Sequence, residues 1–76
     1  MNCQIISIDK KQSYSKVQSI SLPTDSGQMQ ILANHAEMFV ELVGGELILQ
    51  FANEIKKIRI DKGICYFKDN ICYILL

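Results

Sequence analysis

The chain has 76 residues, 49% of them hydrophobic, and its eight basic side chains are balanced by eight acidic ones. A chain of this length forms at most one domain, so we expect residues 1–76 to be a single domain. The balanced charge excludes a general nucleic-acid binder, which needs a basic surplus to displace counterions from phosphates. The longest hydrophobic run, Ile71 to Leu76, is far shorter than the roughly 20 residues of a membrane-spanning helix.

The N-terminus and the cysteines indicate a reducing compartment. The first residues lack the basic start and the long apolar centre of a secretory signal. Cys3, Cys65 and Cys72 are odd in number, form no CxxC motif and have no histidine near them in sequence, so zinc spacing is absent. We therefore expect three reduced, half-buried thiols, with a metal or redox role as the alternative.

Short apolar runs rich in Ile, Val, Phe and Tyr, separated by turn residues, predict β-strands along the whole chain. The predicted strands cover residues 3–9, 14–22, 28–32, 38–43, 46–52, 55–61, 64–68 and 71–76. For residues 38–43, one turn of helix followed by a strand is the alternative. Their connections are predicted at residues 10–13, 23–27, 33–36, 44–45, 53–54 and 62–63. In the second strand, the step from Val17 to Ile20 breaks the period of two and predicts a bulge or a twist at Gln18-Ser19. Pro23 lacks an amide donor and should end that strand.

The last two strands are predicted to form a hairpin over Asp69-Asn70, in which Lys68 faces Ile71. One face then carries Cys65, Phe67, Cys72, Ile74 and Leu76, and the other carries Ile64, Tyr66, Ile71, Tyr73 and Leu75. Because both faces are apolar, the hairpin is either central or covered by a partner. The about eight to ten short strands predict an all-β fold, a small antiparallel β-sandwich or flattened barrel.

The residues give no pattern for a catalytic, cofactor-binding or metal-binding site. A nucleophile needs a base beside it and a group that orients the base, and His35 is the only histidine. We interpret His35 as a corner residue that contacts the backbone or a partner. Asp25 and Glu37 could act as an acid and base only if the fold joined them. The basic residues of the sixth strand are interpreted as a solvated face, with an acidic partner as the alternative; they are Lys56, Lys57 and Arg59.

An ordered series of turn motifs runs from Val17 to Asn70. The motifs read ISLP at 20–23, DSGQ at 25–28, QILANHAE at 30–37, LVGGEL at 42–47 and GICYF at 63–67. In this order they resemble the N-terminal domain of the epsilon subunit of F-type ATP synthases. That family carries an Ile-x-[Val/Leu]-Pro strand end, a Ser/Asp-Gly-Glu turn and a Gly-Ile-Leu-Pro-Gly-His-Ala-Pro corner. The resemblance covers essentially the whole chain.

The chain departs from the family pattern at the turn and at the corner. The departures are Gln28 in place of Glu, Gln30 and Asn34 in place of Gly, and Ala33 and Glu37 in place of Pro. Asn tolerates positive φ and can keep a glycine-like turn. Without the two prolines, however, the backbone conformation of the corner is less restricted. The family normally adds a C-terminal helical hairpin, which this chain, ending at Leu76, does not contain. We therefore expect no helical domain, no ATP binding and no helix-mediated inhibition.

The resemblance implies a non-catalytic role in the central stalk, where the domain clamps the gamma subunit and rests on the c-ring. Carried over by position, the implied c-ring contact is Ser26, Gly27 and Gln28. The implied gamma contact is Asn34, His35 and Ala36, joined by Met38. No cofactor is expected, and the implied location is the cytoplasmic face of the bacterial inner membrane, or the equivalent organellar compartment. The alternative is an unrelated small β adaptor that binds a protein through its apolar hairpin.

Overall fold

Nine β-strands and no helix make up residues 1–76 of the computed structural model. The strands are β1 (Asn2–Ile6), β2 (Lys11–Tyr14), β3 (Ser19–Thr24), β4 (Gly27–Leu32), β5 (Met38–Leu42), β6 (Gly45–Gln50), β7 (Ile55–Ile60), β8 (Gly63–Lys68) and β9 (Ile71–Leu75). The chain therefore has no helix with the length and apolar character needed to cross a membrane.

The strands form two sheets that pack face to face. One sheet has the order β2-β1-β9-β8-β5 and the other has the order β4-β3-β6-β7. The predicted all-β sandwich is therefore confirmed. One pairing departs from the antiparallel prediction, because β1 and β9 run parallel, from Asn2 opposite Ile71 to Ile6 opposite Leu75. Parallel neighbours cannot be joined by a tight hairpin, so this pairing links the two ends of the chain and has no local signal in the sequence.

The core lies between the sheets and is built from the inward positions of the alternating strands. It comprises Cys3, Ile5, Val17, Ile20, Leu22, Ile31, Leu42, Leu47, Leu49, Ile60, Cys65, Phe67, Cys72 and Ile74. All three cysteines are free and fully buried, so the expectation of half-buried thiols was wrong in degree. A reduced, buried Cys behaves as a small hydrophobe, so the three thiols form part of the apolar core.

The prediction of one strand over residues 14–22 was wrong. Tyr14 ends β2 at the edge of one sheet and Ser19 begins β3 inside the other, so residues 15–18 cross between sheets. Lys16 has a φ of 58° at this crossing. The break in the apolar period thus marks a change of sheet and not a bulge, and the connection predicted at residues 10–13 is mostly β2.

Pro23 does not end its strand, contrary to the prediction. It continues β3 opposite Gln28, and its carbonyl accepts a hydrogen bond from the Val43 amide at 3.0 Å. The N and O of a strand residue point to the same side. The Pro23 carbonyl points away from β4, toward Val43, so the nitrogen that lacks a hydrogen also faces away from β4. On that side, the pairing of β3 with β6 has already ended at Ser21. The predicted loop of residues 23–27 shrinks accordingly to a two-residue turn.

The C-terminal hairpin, β8 and β9, has the predicted register, with Lys68 opposite Ile71. Asp69 and Asn70 have φ values of 52° and 61°, which a two-residue turn of type I′ requires at both central positions. The face with Cys65, Phe67, Cys72 and Ile74 is the buried one, whereas Leu76 lies beyond the strand and is 45% exposed. On the outer face Tyr66 stacks on Tyr73 with ring centroids 6.1 Å apart.

Candidate functional site: a hairpin tip and a corner

Ser26, Gly27 and Gln28 lie together at the exposed tip of the β3–β4 hairpin. Thr24 is paired with Gly27 across the turn. The Thr24 hydroxyl donates to the Gly27 carbonyl at 2.7 Å and accepts from the Ser26 amide at 3.2 Å. Gly27 has a φ of 104°, a conformation that glycine adopts at little cost. The tip is therefore a tight turn closed by its own residues.

Gln28 lies along the outer face of the second sheet. Its amide nitrogen donates to the Ser21 hydroxyl at 2.7 Å, which fixes the direction of the side chain across the neighbouring strand. The carboxylate of Asp25 is exposed in the turn, and Glu41 on β5 lines the same groove as Asp25, Ser26 and Gln28. The three tip residues thus present neutral, polar groups to solvent next to two carboxylates.

Asn34, His35 and Ala36 lie together in an exposed corner, residues 33–37, between β4 and β5. Asn34 has a φ of 64°, so it takes the glycine-like conformation that the sequence suggested. The His35 ring meets the Phe67 ring edge-on, with centroids 6.1 Å apart and planes at 88°. Its Nδ1 lies 2.8 Å from the Ala36 carbonyl oxygen and donates to it when protonated there. His35 therefore shapes the corner through backbone and aromatic contacts.

Two side chains of the C-terminal hairpin reach the corner. The Asn70 Oδ1 accepts a hydrogen bond from the Asn34 amide at 2.8 Å. The Tyr66 hydroxyl donates to a Glu37 carboxylate oxygen at 2.9 Å. This hydrogen bond raises the pKa of Tyr66, because it stabilises the neutral phenol. Glu37 is thus held by Tyr66 and is not paired with Asp25, which lies in the turn at the other end of β4.

The tip and the corner lie at opposite ends of β4, which starts at Gly27 and ends at Leu32. Five strand steps separate these ends by about 17 Å at the usual rise of a β-strand. Met38 begins β5 directly after the corner, opposite Phe67, and is half-buried against the core. The two sets of residues predicted from the resemblance therefore form two separate surfaces, each of them contiguous.

The basic residues of β7 do not form one surface. Lys56 points into an open groove between the sheet edges, where its Nζ lies 5.6 Å from the centroid of the Tyr14 ring. Lys57 and Arg59 alternate with it on the outer face, and Arg59 lies opposite Glu46 on β6. The outward direction predicted for Lys57 and Arg59 is confirmed, since both are exposed.

The remaining polar groups offer no constellation for metal binding. The structure contains no group of three or more His, Cys, Asp or Glu side chains placed to hold a metal ion. Every buried side-chain nitrogen and oxygen has a hydrogen-bond partner. The Sγ atoms of Cys65 and Cys72 lie 3.3 Å apart in the core. Contacts with the Cys3 and Cys65 thiols, together with burial, raise the pKa of Cys72, which keeps this thiol protonated.

Sequence reasoning missed the hairpin residues that hold the corner. Tyr66 was assigned only to an apolar face and Asn70 only to a turn. They lie 29 and 36 residues from Glu37 and Asn34, their respective partners. No local spacing could have linked them, because the sheet order alone brings β8 beside β5.

Two solved assemblies contain chains with this fold. A chain in the central stalk and c-ring structure of the Tetrahymena thermophila mitochondrial ATP synthase superposes with a TM-score of 0.82 at 18% identity, over 97% of this chain and 60% of that one. A chain of the Euglena gracilis mitochondrial ATP synthase, in a structure of OSCP, F1 and c-ring, superposes with a TM-score of 0.86 at 21% identity, over 96% of this chain and 48% of that one. These likenesses show the fold.

Relatives of known assignment are closer in sequence. The ATP synthase epsilon chain of Wolbachia pipientis wMel is 34% identical over 73 residues, which cover 95% of this chain and 64% of that protein. The corresponding chain of Leptospira borgpetersenii serovar Hardjo-bovis is 32% identical over 75 residues, 99% of this chain and 59% of that one. The chain thus spans about three fifths of the length of these relatives. The family model of the ATP synthase delta/epsilon chain β-sandwich domain matches residues 1–76, and the chain belongs to that family.

Proposed function

We propose that the chain is a non-catalytic subunit of the central stalk of an F-type, proton-translocating ATP synthase. In this role it couples the gamma subunit to the c-ring during rotary ATP synthesis and hydrolysis. The observation that carries the proposal is the family match over the full 76 residues. The names of the relatives, ATP synthase epsilon chains, support it, as do the central stalk and c-ring assemblies that contain the same fold.

The geometry fits a coupling element because two contact surfaces lie at opposite ends of one packed body. The body measures 26 × 26 × 21 Å and has one continuous core of 14 residues. A close-packed interior has low compressibility and transmits strain. A load applied at one end would therefore reach the other without a hinge between them.

The proposed contacts follow the two surfaces. Ser26, Gly27 and Gln28 at the tip face the c-ring, and Asn34, His35, Ala36 and Met38 at the corner face gamma. Both surfaces are exposed except for the half-buried Met38. The chain reaches the membrane only through this complex, at the cytoplasmic face of a bacterial inner membrane or in the equivalent organellar compartment. The bacterial origin of the relatives supports this location.

Site-directed crosslinking tests both surfaces. Because the three native cysteines are buried, a cysteine introduced at an exposed position can be labelled selectively with a photoreactive maleimide. Ser26→Cys should capture subunit c, and His35→Cys should capture gamma. Lys57→Cys, on β7 at the sheet edge opposite β4, serves as the control. The labelled chains are assembled with the purified enzyme, and the crosslinked partners are identified by mass spectrometry.

The same experiment separates the stalk role from a small β adaptor. Recovery of gamma, with c and catalytic subunits in proportion, supports the stalk role. Capture of gamma from position 26 and of subunit c from position 35 would leave the stalk role intact and reverse the assignment of the two surfaces. Association with an unrelated soluble protein, and none with the ATP synthase, would contradict the proposal and favour the adaptor.

A further inference from the structure

The corner has little backbone support of its own. Its residues 33–37 are all exposed, and none of the seven backbone–backbone hydrogen bonds outside the strand ladders involves them. The chain's only proline is Pro23, so no corner residue has its φ fixed covalently. A segment of this kind samples many conformations unless side chains hold it.

Apart from the contact between His35 and the Ala36 carbonyl, the contacts that hold the corner come from the C-terminal hairpin. Asn70 accepts from the Asn34 amide at 2.8 Å, and Tyr66 donates to Glu37 at 2.9 Å. Phe67 lies against the edge of the His35 ring. These three contacts engage Asn34 near the start of the corner, His35 in its middle and Glu37 at its end.

The hairpin side chains are themselves fixed in direction. Asn70 occupies a left-handed turn position, and its carbonyl accepts a hydrogen bond from the Asn2 amide at 3.2 Å. Tyr66 lies between Phe39 and Tyr73, with ring centroids 6.4 Å and 6.1 Å away. The donor and acceptor therefore stand on rigid elements, which is the arrangement that positions a binding segment accurately.

We infer that Asn70 and Tyr66 are positioning residues, which order the corner before binding and so set the affinity of the gamma subunit for it. The inference rests on the proposed function, because it takes gamma as the partner of the corner. Ordering a segment in advance removes part of the entropy cost that binding would otherwise carry. Neither side chain needs to touch gamma for this effect.

The test compares two disruptive variants with two matched controls in the whole chain. Asn70→Gly keeps the positive φ of the turn and removes the acceptor, whereas Asn70→Asp keeps both the acceptor and a residue that tolerates this φ. Tyr66→Phe removes only the hydroxyl and keeps the ring contacts. Glu37→Gln retains an acceptor oxygen for Tyr66. The readouts are amide hydrogen exchange at residues 33–37 and the Kd for the purified gamma subunit by calorimetry.

We expect Asn70→Gly and Tyr66→Phe each to speed exchange at the corner and to weaken gamma binding about fivefold, the factor for one ordinary hydrogen bond. Asn70→Asp should stay near the parent in both measurements, and Glu37→Gln should stay near it in corner exchange. A purely structural effect would instead raise exchange throughout the core strands. That result would overturn the inference.

The outcomes distinguish the inference from the proposed function. If corner exchange does not change while the parent binds gamma, the inference is wrong and the proposed function stands. If exchange rises but Kd does not, the hairpin does not set the affinity and gamma binds elsewhere on the chain. If the parent itself does not bind gamma, the proposed function is contradicted and the inference falls with it.

Discussion

Replacing Gly27 by valine should destabilise the domain through backbone strain alone. A Cβ atom built at Gly27 has no heavy atom within 4 Å, so no steric overlap contributes. The φ of 104° lies in a region that costs an L-residue about 1–2 kcal/mol, and β-branching adds crowding. Restricting the unfolded chain offsets about 0.5–1 kcal/mol of this cost. The expected net loss is about 1 kcal/mol.

Urea denaturation followed by circular dichroism measures this loss. With an m-value of about 1 kcal/mol per molar for a small domain, the midpoint should fall by about 1 M. The Gly27→Asn variant is the matched control, since Asn tolerates positive φ better than Val, and it should lose less than half as much. Equal midpoints for Gly27→Val and the parent would refute the strain argument. Equal losses for Val and Asn would show that φ is not the cause.

Three further outcomes follow from the core and the corner. Gly63→Ala should cost more than Gly27→Val, about 2 kcal/mol in the same urea assay, because its Cβ would lie 2.6 Å from the Leu75 carbonyl oxygen; a smaller loss would contradict the close approach of β8 and β9. The three buried thiols should react with a disulfide reagent such as DTNB only as fast as the domain unfolds, and a rapid native phase would contradict their burial. Glu37→Gln should lower the pKa of Tyr66, read from its ¹³Cζ shift on titration, because the charged acceptor that favours the phenol is lost. In the parent, this hydrogen bond stabilises the folded chain at pH values below the ordinary tyrosine pKa, and this stabilisation is lost as the pH rises through the raised pKa. An unchanged pKa of Tyr66 in the variant would mean that the hydrogen bond does not form in solution.

Local patterns in the sequence predicted the C-terminal hairpin best, with the register that the structure shows. The turn at Asp69-Asn70 predicted the register of β8 and β9, because a two-residue loop leaves only one pairing, and alternation then sorted the side chains onto two faces. The crossing at residues 15–18 could not be predicted in this way. An edge strand such as β2, with its sequence KQSY, has almost no apolar signal, so the pattern merged it partly with β3.

The two proposed contact surfaces differ in how far they depend on distant residues. All hydrogen bonds that shape the tip join residues at most seven positions apart, from Ser21 to Gln28. The turn residues of the tip could therefore be found locally, although the sequence predicted a longer loop than the two-residue turn that forms. The corner depends on partners more than 25 residues away, and only the sheet order brings them together.

This difference predicts how perturbations spread from each end. Asn70 joins the corner, the β8–β9 turn and the start of β1 through its side chain and its carbonyl. At the same end, the Met1 ammonium and the Val17 carbonyl are hydrogen-bonded at 2.9 Å, so β1 is also tied to the crossing between sheets. A change of backbone position at Asn70 therefore moves three segments together. A change at the tip stays within one hairpin, because no tip residue bonds outside it, and contacts there can vary without altering the corner.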